Sequence, residues 1–425
     1  MNNTYKIIYK LKLNLKTALH IGVGEISPTG AGNIFKNGLG EFVIPGTSIA
    51  GLFFDTLENI YGETIKTDKL YRKLTLRNID DSKKNDFEAS FLIFRSAILQ
   101  PNEDGIVKKV RDRVKINSKV KSAEDGAKFS NWEITPDNLN PIELEIELDN
   151  ISKSYKEKLS LTNKEVEKID KWVYDVSGSW EKEGITFGGF CSNGNGWAEL
   201  IDAQCCKITT FEQYKNYLDD KLDFVKMETT EAAKLYDTYK VEIVIDDEPE
   251  QYGTNSLLIK GGDSHTSIVG NLADGIFINT GSKIFIPGSS LKGALNFFMK
   301  KYFREIYNEW EDFTGQNKEN AGNLLIEDLY PDNNFKRENL ILIEMHSECE
   351  FTRAVINKFN EERAFYTTFS GKIRIRKNLK LYKEAPQKIK DIDFISYIKQ
   401  GCENGLISLG SGGCYPKIVI KKEEV

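Results

Sequence analysis

The chain has 425 residues, enough for two hydrophobic cores, and its 40% hydrophobic and 29% charged residues are ordinary globular composition. A mean hydropathy of -0.43 and the lack of any apolar run near the ~20 residues of a bilayer span exclude a membrane-spanning chain. With 58 basic and 64 acidic residues the formal charge is -6, which excludes a general attraction for polyanions and leaves any nucleic-acid contact to local patches. The start, Met1 to Lys6, has no apolar segment of the signal-peptide kind, so a cytoplasmic location is expected. Six scattered cysteines (Cys191, Cys205, Cys206, Cys349, Cys402, Cys414) form no C-x-x-C pair and read as reduced thiols.

In chain order, Tyr9, Leu11, Leu13 and Leu15 alternate with Lys10, Lys12 and Asn14, which predicts a half-buried strand. A glycine-bearing block, Ala18 to Glu25, follows. After Ile44-Pro45-Gly46, Thr47 or Ser48 is placed to cap a helix whose apolar face carries Ile49, Leu52, Phe53 and Leu57. Val166, Ile169 and Val173 predict a second helix over roughly 163–176, and the glycine-rich stretch from Phe187 to Gly196 leads into a strand. Residues 209–236 are charged, contain neither glycine nor proline, and read as a helical connector.

The same order then returns. Val241, Ile243 and Ile245 alternate as the first strand does. Ser256 to Asp263 repeats the first glycine block, 238 residues beyond Ala18 to Glu25. Ile286-Pro287-Gly288-Ser289-Ser290-Leu291-Lys292-Gly293 repeats the helix start, 242 residues beyond Ile44 to Gly51. Leu409 to Val419 closes the second half with another glycine-rich turn and strand. Three landmarks in one order, twice, predict two copies of one module over 1–208 and 237–425. The element pattern fits an α+β fold with two tandem ferredoxin-like modules.

Read by their chemistry alone, several of these motifs have two readings. Gly288, Ser289 and Ser290 at a helix start offer free N–H groups and a positive dipole end to a phosphate, with Lys292 one turn in, or they are an ordinary cap. Gly46, Thr47 and Ser48 form the first copy, where Ala50 stands in place of the lysine, leaving backbone groups alone. Glycines let a backbone approach a ligand closely or simply make tight turns; this concerns Gly22, Gly24, Gly188, Gly189, Gly194, Gly261, Gly262, Gly410, Gly412 and Gly413. Trp197 and Tyr415 suit either base stacking or packing on their own sheets. Lys108, Lys109, Arg111, Arg113, Lys115, Lys119 and Lys121, interleaved with Val107, Val110, Val114 and Val120, suit a flap with one charged and one apolar face, or a solvated run. Arg353 begins a counterpart in the second half.

The order Leu-His-Ile-Gly, glycine loop, Ile-Pro-Gly-(Ser/Thr)-Ser-(Ile/Leu)-x-Gly, helix, insertion and glycine-rich loop resembles the RAMP superfamily of CRISPR systems. The nearest likeness is to a fused pair of backbone subunits of type III effector complexes. The resemblance implies RRM-like modules that grip CRISPR guide RNA, a thumb that kinks the guide–target duplex, and, as partners, complementary target RNA and other type III effector subunits. It also implies an antiviral, cytoplasmic role. Some members cleave target RNA with an aspartate in the loop before the Ile-Pro-Gly motif, where this chain has Asp274, with Asp263 and His265 as secondary candidates. His265 would serve as base if the chain instead processed guide RNA. A carboxylate there acts as general base or helps hold a divalent ion, magnesium or manganese, whose ligands are unassigned. Counting back 242 residues from Asp274 gives Gly32, so the first module is expected not to cut. A non-catalytic scaffold is the alternative.

Overall fold

The computed structural model describes residues 5–26, 30–75, 90–102, 105, 108–116, 123–150, 161–219, 221–228, 233–246, 256–261, 267–269, 273–280, 283–315, 322–348, 351–378, 387–411 and 413–423. The first strand, β1 (Lys6–Leu15), does what its period of two dictates: Ile7, Tyr9, Leu11 and Leu13 are buried, while Lys10, Lys12 and Asn14 reach toward solvent. Then come β2 (Gly22–Ile26), β3 (Ala31–Ile34), β4 (Val43–Ile44), α1 (Gly46–Tyr61), α2 (Lys69–Thr75), β5 (Leu92–Phe94) and β6 (Ala97–Ile98). A long hairpin, β7 (Lys108–Ile116) and β8 (Ala123–Ile134), precedes β9 (Ile142–Asp149), α3 (Asn163–Glu183), β10 (Ile185–Thr186) and β11 (Trp197–Ile208). The core sheet runs β10-β11-β1-β9-β5, all antiparallel. Numbering β1, β5, β9 and β11 as strands one to four gives the order 4-1-3-2 of a ferredoxin-like unit.

The expected second helix starts where expected, at a reciprocal capping box of Thr162 and Glu165, and extends seven residues further than its periodicity suggested, to the stop at Gly184 with φ 75°. It buries Ile169, Val173 and Val176 against β1 and the α1 residues Ile49, Phe53 and Leu57 in one core. Each such side chain contributes roughly 1.5–3 kcal/mol by leaving water. Trp180, fully buried, satisfies its indole N–H on Thr56 Oγ1 at 3.0 Å.

Among its described residues the connector is helical only at α4 (Phe211–Leu218). Its next short strand, β12 (Val225–Lys226), adds to β11 at the edge of the first sheet. The second unit comprises β13 (Tyr236–Ile245), α5 (Gly288–Tyr302), α6 (Tyr307–Thr314), β14 (Leu324–Ile326), β15 (Tyr330–Pro331), a hairpin of β16 (Leu340–Glu348) and β17 (Val355–Ala364), β18 (Thr367–Arg376), α7 (Gln387–Asp391), α8 (Phe394–Glu403) and β19 (Lys417–Lys422). Its sheet order, β14-β18-β13-β19, is again 4-1-3-2 read from the other edge. Both units insert their hairpin between the second and third core strands, and both tie its base to the first glycine block: Leu19 bridges Ile134, and Leu257 bridges Ala364. The internal repeat is thus a repeat of fold, down to single bridges.

Candidate nucleic-acid interface

The helix starts depart from the hydroxyl-capped form that Thr47, Ser48 and Ser290 suggested. Pro45 and Pro287 occupy the N-cap positions, and no side chain caps either helix. The glycines that follow are required for space. A Cβ on Gly46 would collide with the Phe94 carbonyl, and one on Gly288 with the Ile326 carbonyl, so each helix start is pressed onto the end of the second core strand. Gly46 N–H donates to Ser96 Oγ at 3.1 Å, and Gly288 N–H donates to Asp328 Oδ1 at 2.8 Å. At Gly288 a protein carboxylate therefore stands where a phosphate was expected. The amides of Ser48 and Ser290 turn back to the carbonyls of Pro45 and Pro287, and Thr47 is exposed while Ser289 is half-buried. Lys292 is buried, with Nζ donating to the Thr314 carbonyl at 2.9 Å, and burial pulls its ammonium down to about 8.

The closing glycine loops pack on the opening ones. At Gly188 (φ 75°) and Gly410 (φ 71°) a Cβ would strike the carbonyls of His20 and Leu258, which are equivalent residues of the two units. The next amides, of Gly189 and Ser411, donate to those same carbonyls at 2.8 Å. Gly188 and Gly410 nevertheless remain exposed at the surface, as do Gly22 and Gly24, whereas Gly189, Gly261 and Gly413 are half-buried.

Gly194 and Trp197 belong to the junction between the units. A Cβ on Gly194 (φ 102°) would strike Asp328, and the Trp197 ring lies 3.5 Å from Arg374 Cζ of the second unit. Around Asp328 the first hairpin brings its expected RNA-binding arginines inward. Arg111 donates from Nη1 and Nη2 to the two Asp328 oxygens at 3.1 and 3.2 Å. Arg111 Nη1 and Arg113 Nη2 share Asn195 Oδ1 at 3.0 and 3.1 Å, and Arg113 also pairs with Glu133. Arg111 and Arg113 are 6% and 8% exposed, so neither presents charge to the surface. Burial opposes the Arg111 charge, yet Asp328 and Glu133 hold its guanidinium above the usual value. Burial and Arg111 together pull Arg113 down to about 10.

The physical reason for this correction is strand parity. Arg111 and Arg113 share a face, and Val110 and Val114 share the other, nearly half exposed. Paired guanidiniums outcompeted valines for the interior because Glu133 and Asp328 wait there to compensate them. Of the remaining run, Lys108 is exposed with Nζ 4.5 Å from the Trp132 ring centre, and Lys109 is half-buried, its ammonium lowered by burial. The Lys115 side chain, Lys119, Lys121, Gly262, Asp263, His265 and Gly412 lie outside the described residues.

In the second unit, Asp274 is exposed and lies alongside the base of β17. Asn360 N–H donates to Asp274 Oδ2 at 2.8 Å, and Asp274 N–H donates back to the Asn360 carbonyl at 2.8 Å. Gly275 bridges Glu361 in parallel, as Gly32 of β3 bridges Asn131 of β8. The residue equivalent to Asp274 is therefore Ala31, one position from that expected, and it too lacks a carboxylate. Lys260 lies nearby with Nζ 2.7 Å from Glu361 Oε1. Burial alone would raise the Glu361 carboxyl, but Lys260 and Arg363 hold it below the usual range. Among the described residues no three His, Cys, Asp or Glu side chains cluster as a metal site; a divalent ion would need ligands beyond Asp274. Arg353, at φ 54°, sits at the β16–β17 tip beside Phe351, which is 94% exposed.

Sequence reasoning missed His20, Asn131, Glu133, Asn195, Asp328 and Lys260. A usable signal existed for one group: the alternation Arg111-Asp112-Arg113 in a strand puts two guanidiniums on one face and demands a partner for them.

Among the described residues no helix is long and apolar enough to cross a membrane. No curated protein matches the chain. The sequence model of the RAMP superfamily matches residues 12–199 and 257–407, one stretch in each ferredoxin-like unit. The chain belongs to the RAMP superfamily, and carries two of its modules.

Proposed function

We propose that this chain is a guide-RNA-binding backbone subunit of a type III CRISPR effector complex and that its second module cleaves target RNA. The observation that carries the reading is the junction. The first module's glycine loop and hairpin base receive the α5 start of the second, a head-to-tail contact whose two halves differ. The corresponding surfaces remain on the outer ends: Thr47, Arg95 and Ser96 are exposed at one, Gly410 and Tyr415 at the other. A subunit that continues a row needs such unlike ends. The hairpins, projecting from equivalent places in both modules, suit repeated contact with one extended RNA.

For cleavage, Asp274 takes the proton of a ribose 2′-hydroxyl, the freed oxygen attacks the adjacent phosphorus, and the 5′-oxygen leaves with a proton from water. This yields a 2′,3′-cyclic phosphate. The Asn360 N–H holds one carboxylate oxygen in place and leaves the group exposed for substrate. The test is the assembled complex with labelled complementary RNA. Asp274→Ala is expected to slow one cut by ~10²–10⁴-fold with guide binding unchanged. A full cleavage pattern from the variant would overturn the catalytic assignment, and a wild-type complex that binds target without cutting would leave a scaffold.

A further inference from the structure

The base of the first hairpin holds three buried donors that no described residue accepts. Arg113 uses Nη2 on Glu133 and Asn195, while its Nε and Nη1 have no partner. Asn131, 8% exposed, directs Oδ1 over Gly32, where a Cβ would collide with it, and leaves Nδ2 unpaired. Both residues lie on one face of the hairpin, since Arg111 pairs with Asn131 and Arg113 with Phe129 in register. Buried donors without acceptors cost a fold free energy, and a place that collects three of them on two side chains suits a ligand rich in acceptor oxygens.

The surroundings narrow the ligand. Arg113 Cζ lies 4.3 Å from the centre of the Phe190 ring, and Phe190 stacks with half-exposed Phe129 at 6.0 Å. Phe190 has φ 63°, a costly conformation for a non-glycine residue and one found where a loop is held for function. His20 is close by as well, its Cε1 3.8 Å from where a Cβ on Gly32 would stand. Its Nδ1 lies 2.7 Å from the Trp132 carbonyl and so carries the proton it donates there. Burial and Arg111 weaken the hold of Arg113 on its charge, which an anion would restore.

We infer that the first module carries a phosphate-binding pocket of its own. Arg113 Nε and Nη1 and Asn131 Nδ2 donate there to the non-bridging oxygens of one RNA phosphodiester, entering as the Phe129 and Phe190 rings swing aside. This rests on the RNA-binding reading above and adds an asymmetry to it. By hairpin register the second module has Met345 for Arg113 and Glu361 for Asn131, and by its bridge it has Leu258 for His20. It lacks this pocket and has Asp274 instead. One module grips a phosphate, and the other presents a carboxylate.

The test uses the full chain and the near-isosteric Asn131→Asp, which gives Arg113 an internal anion and closes the pocket to phosphate. Inorganic phosphate, against chloride at matched ionic strength, is expected to raise the melting temperature of the wild type. The variant is expected to be at least as stable in chloride and to show no phosphate response. In the assembled complex its log-affinity against log-salt slope for RNA is expected to flatten by about 0.7–0.9, one phosphate contact. No phosphate response in the wild type, as internal waters on these donors would produce, overturns the inference. So does an undiminished response or an unchanged RNA slope in the variant. A phosphate response lost in the variant, from a protein that binds no RNA at any salt, would keep the pocket and sink the RNA reading.

Discussion

Lys292 shows how far a single side chain can stand from its sequence reading. One turn into a helix after Gly-Ser-Ser, it has the look of a phosphate-binding lysine, yet its stem runs into the second core and its ammonium ends on the last carbonyl of α6. Its folded value of about 8 lies below the ordinary ~10.4 of an unfolded lysine. Between those values the unfolded state binds the extra proton, so stability rises with pH across that window. Below pH 8 both states are protonated and the full penalty is present. Lys292→Met is therefore expected to stabilise the protein at pH 7 by about 2–3 kcal/mol and to remove that part of the alkaline rise. Urea midpoints of both proteins at pH 7 and pH 9.5 check this. Equal pH slopes would show that the amine is solvated after all.

At the scale of elements, the glycine loops and hairpins separate packing from exposure. Gly188→Ala puts a Cβ at φ 75° and against the His20 carbonyl. Strain and overpacking together are expected to cost ~1–3 kcal/mol, read as a lowered urea midpoint with unchanged slope. The β16–β17 tip is the opposite case. Phe351 is 94% exposed and contributes nothing to the core, so Phe351→Ala is expected to leave the melting temperature unchanged. In an assembled complex the same change is expected to weaken RNA binding by ~1–3 kcal/mol, the worth of one base stacked on an aromatic ring. An RNA affinity equal to wild type would show that the tip stays in solvent.

Much of this level was legible in the chain. Period-two alternation fixed β1 and β13, and the apolar stripes located α1, α3 and α5, because burial of one face selects the pattern directly. The direction in which the β7 arginines face was not legible. Arg111 and Val110 are neighbours on opposite faces, and which face turns inward depends on Glu133, Asn195 and Asp328, which are up to 217 residues away.

For the whole molecule, the Arg111–Asp328 pair is the charged centre of the contact that joins the two modules. Removing Asp328 strips Arg111 of its two-point partner and leaves it Asn195 and a Glu133 that lies 3.4 Å away and is already paired with Arg113; breaking a buried pair in this way typically costs ~3–5 kcal/mol. Asp328→Ala is expected to lose that much and to make the modules unfold in two separate transitions. The double change Arg111→Met with Asp328→Leu is expected to recover most of the stability, since a well-packed apolar pair often replaces a buried ion pair without loss. Calorimetry of the three proteins distinguishes these outcomes. A single transition in Asp328→Ala would show that Trp197–Arg374 and the other junction contacts hold the modules together alone.

By itself the sequence determined that one ferredoxin-like module occurs twice, where its glycines fall, and that the Asp274 loop of the second copy has no acidic counterpart in the first. These properties are local: periodicity, turn chemistry and repeated order survive in a string of residues. Only the tertiary structure decided which polar groups are used up and which remain unanswered. It closed the anion position at Gly288 with Asp328, buried Arg111, and left Arg113 and Asn131 with donors to spare. A hydrogen bond or ion pair is settled by distances of about 3 Å between residues as far apart in the chain as Arg111 and Asp328, and no spacing along the sequence encodes that distance.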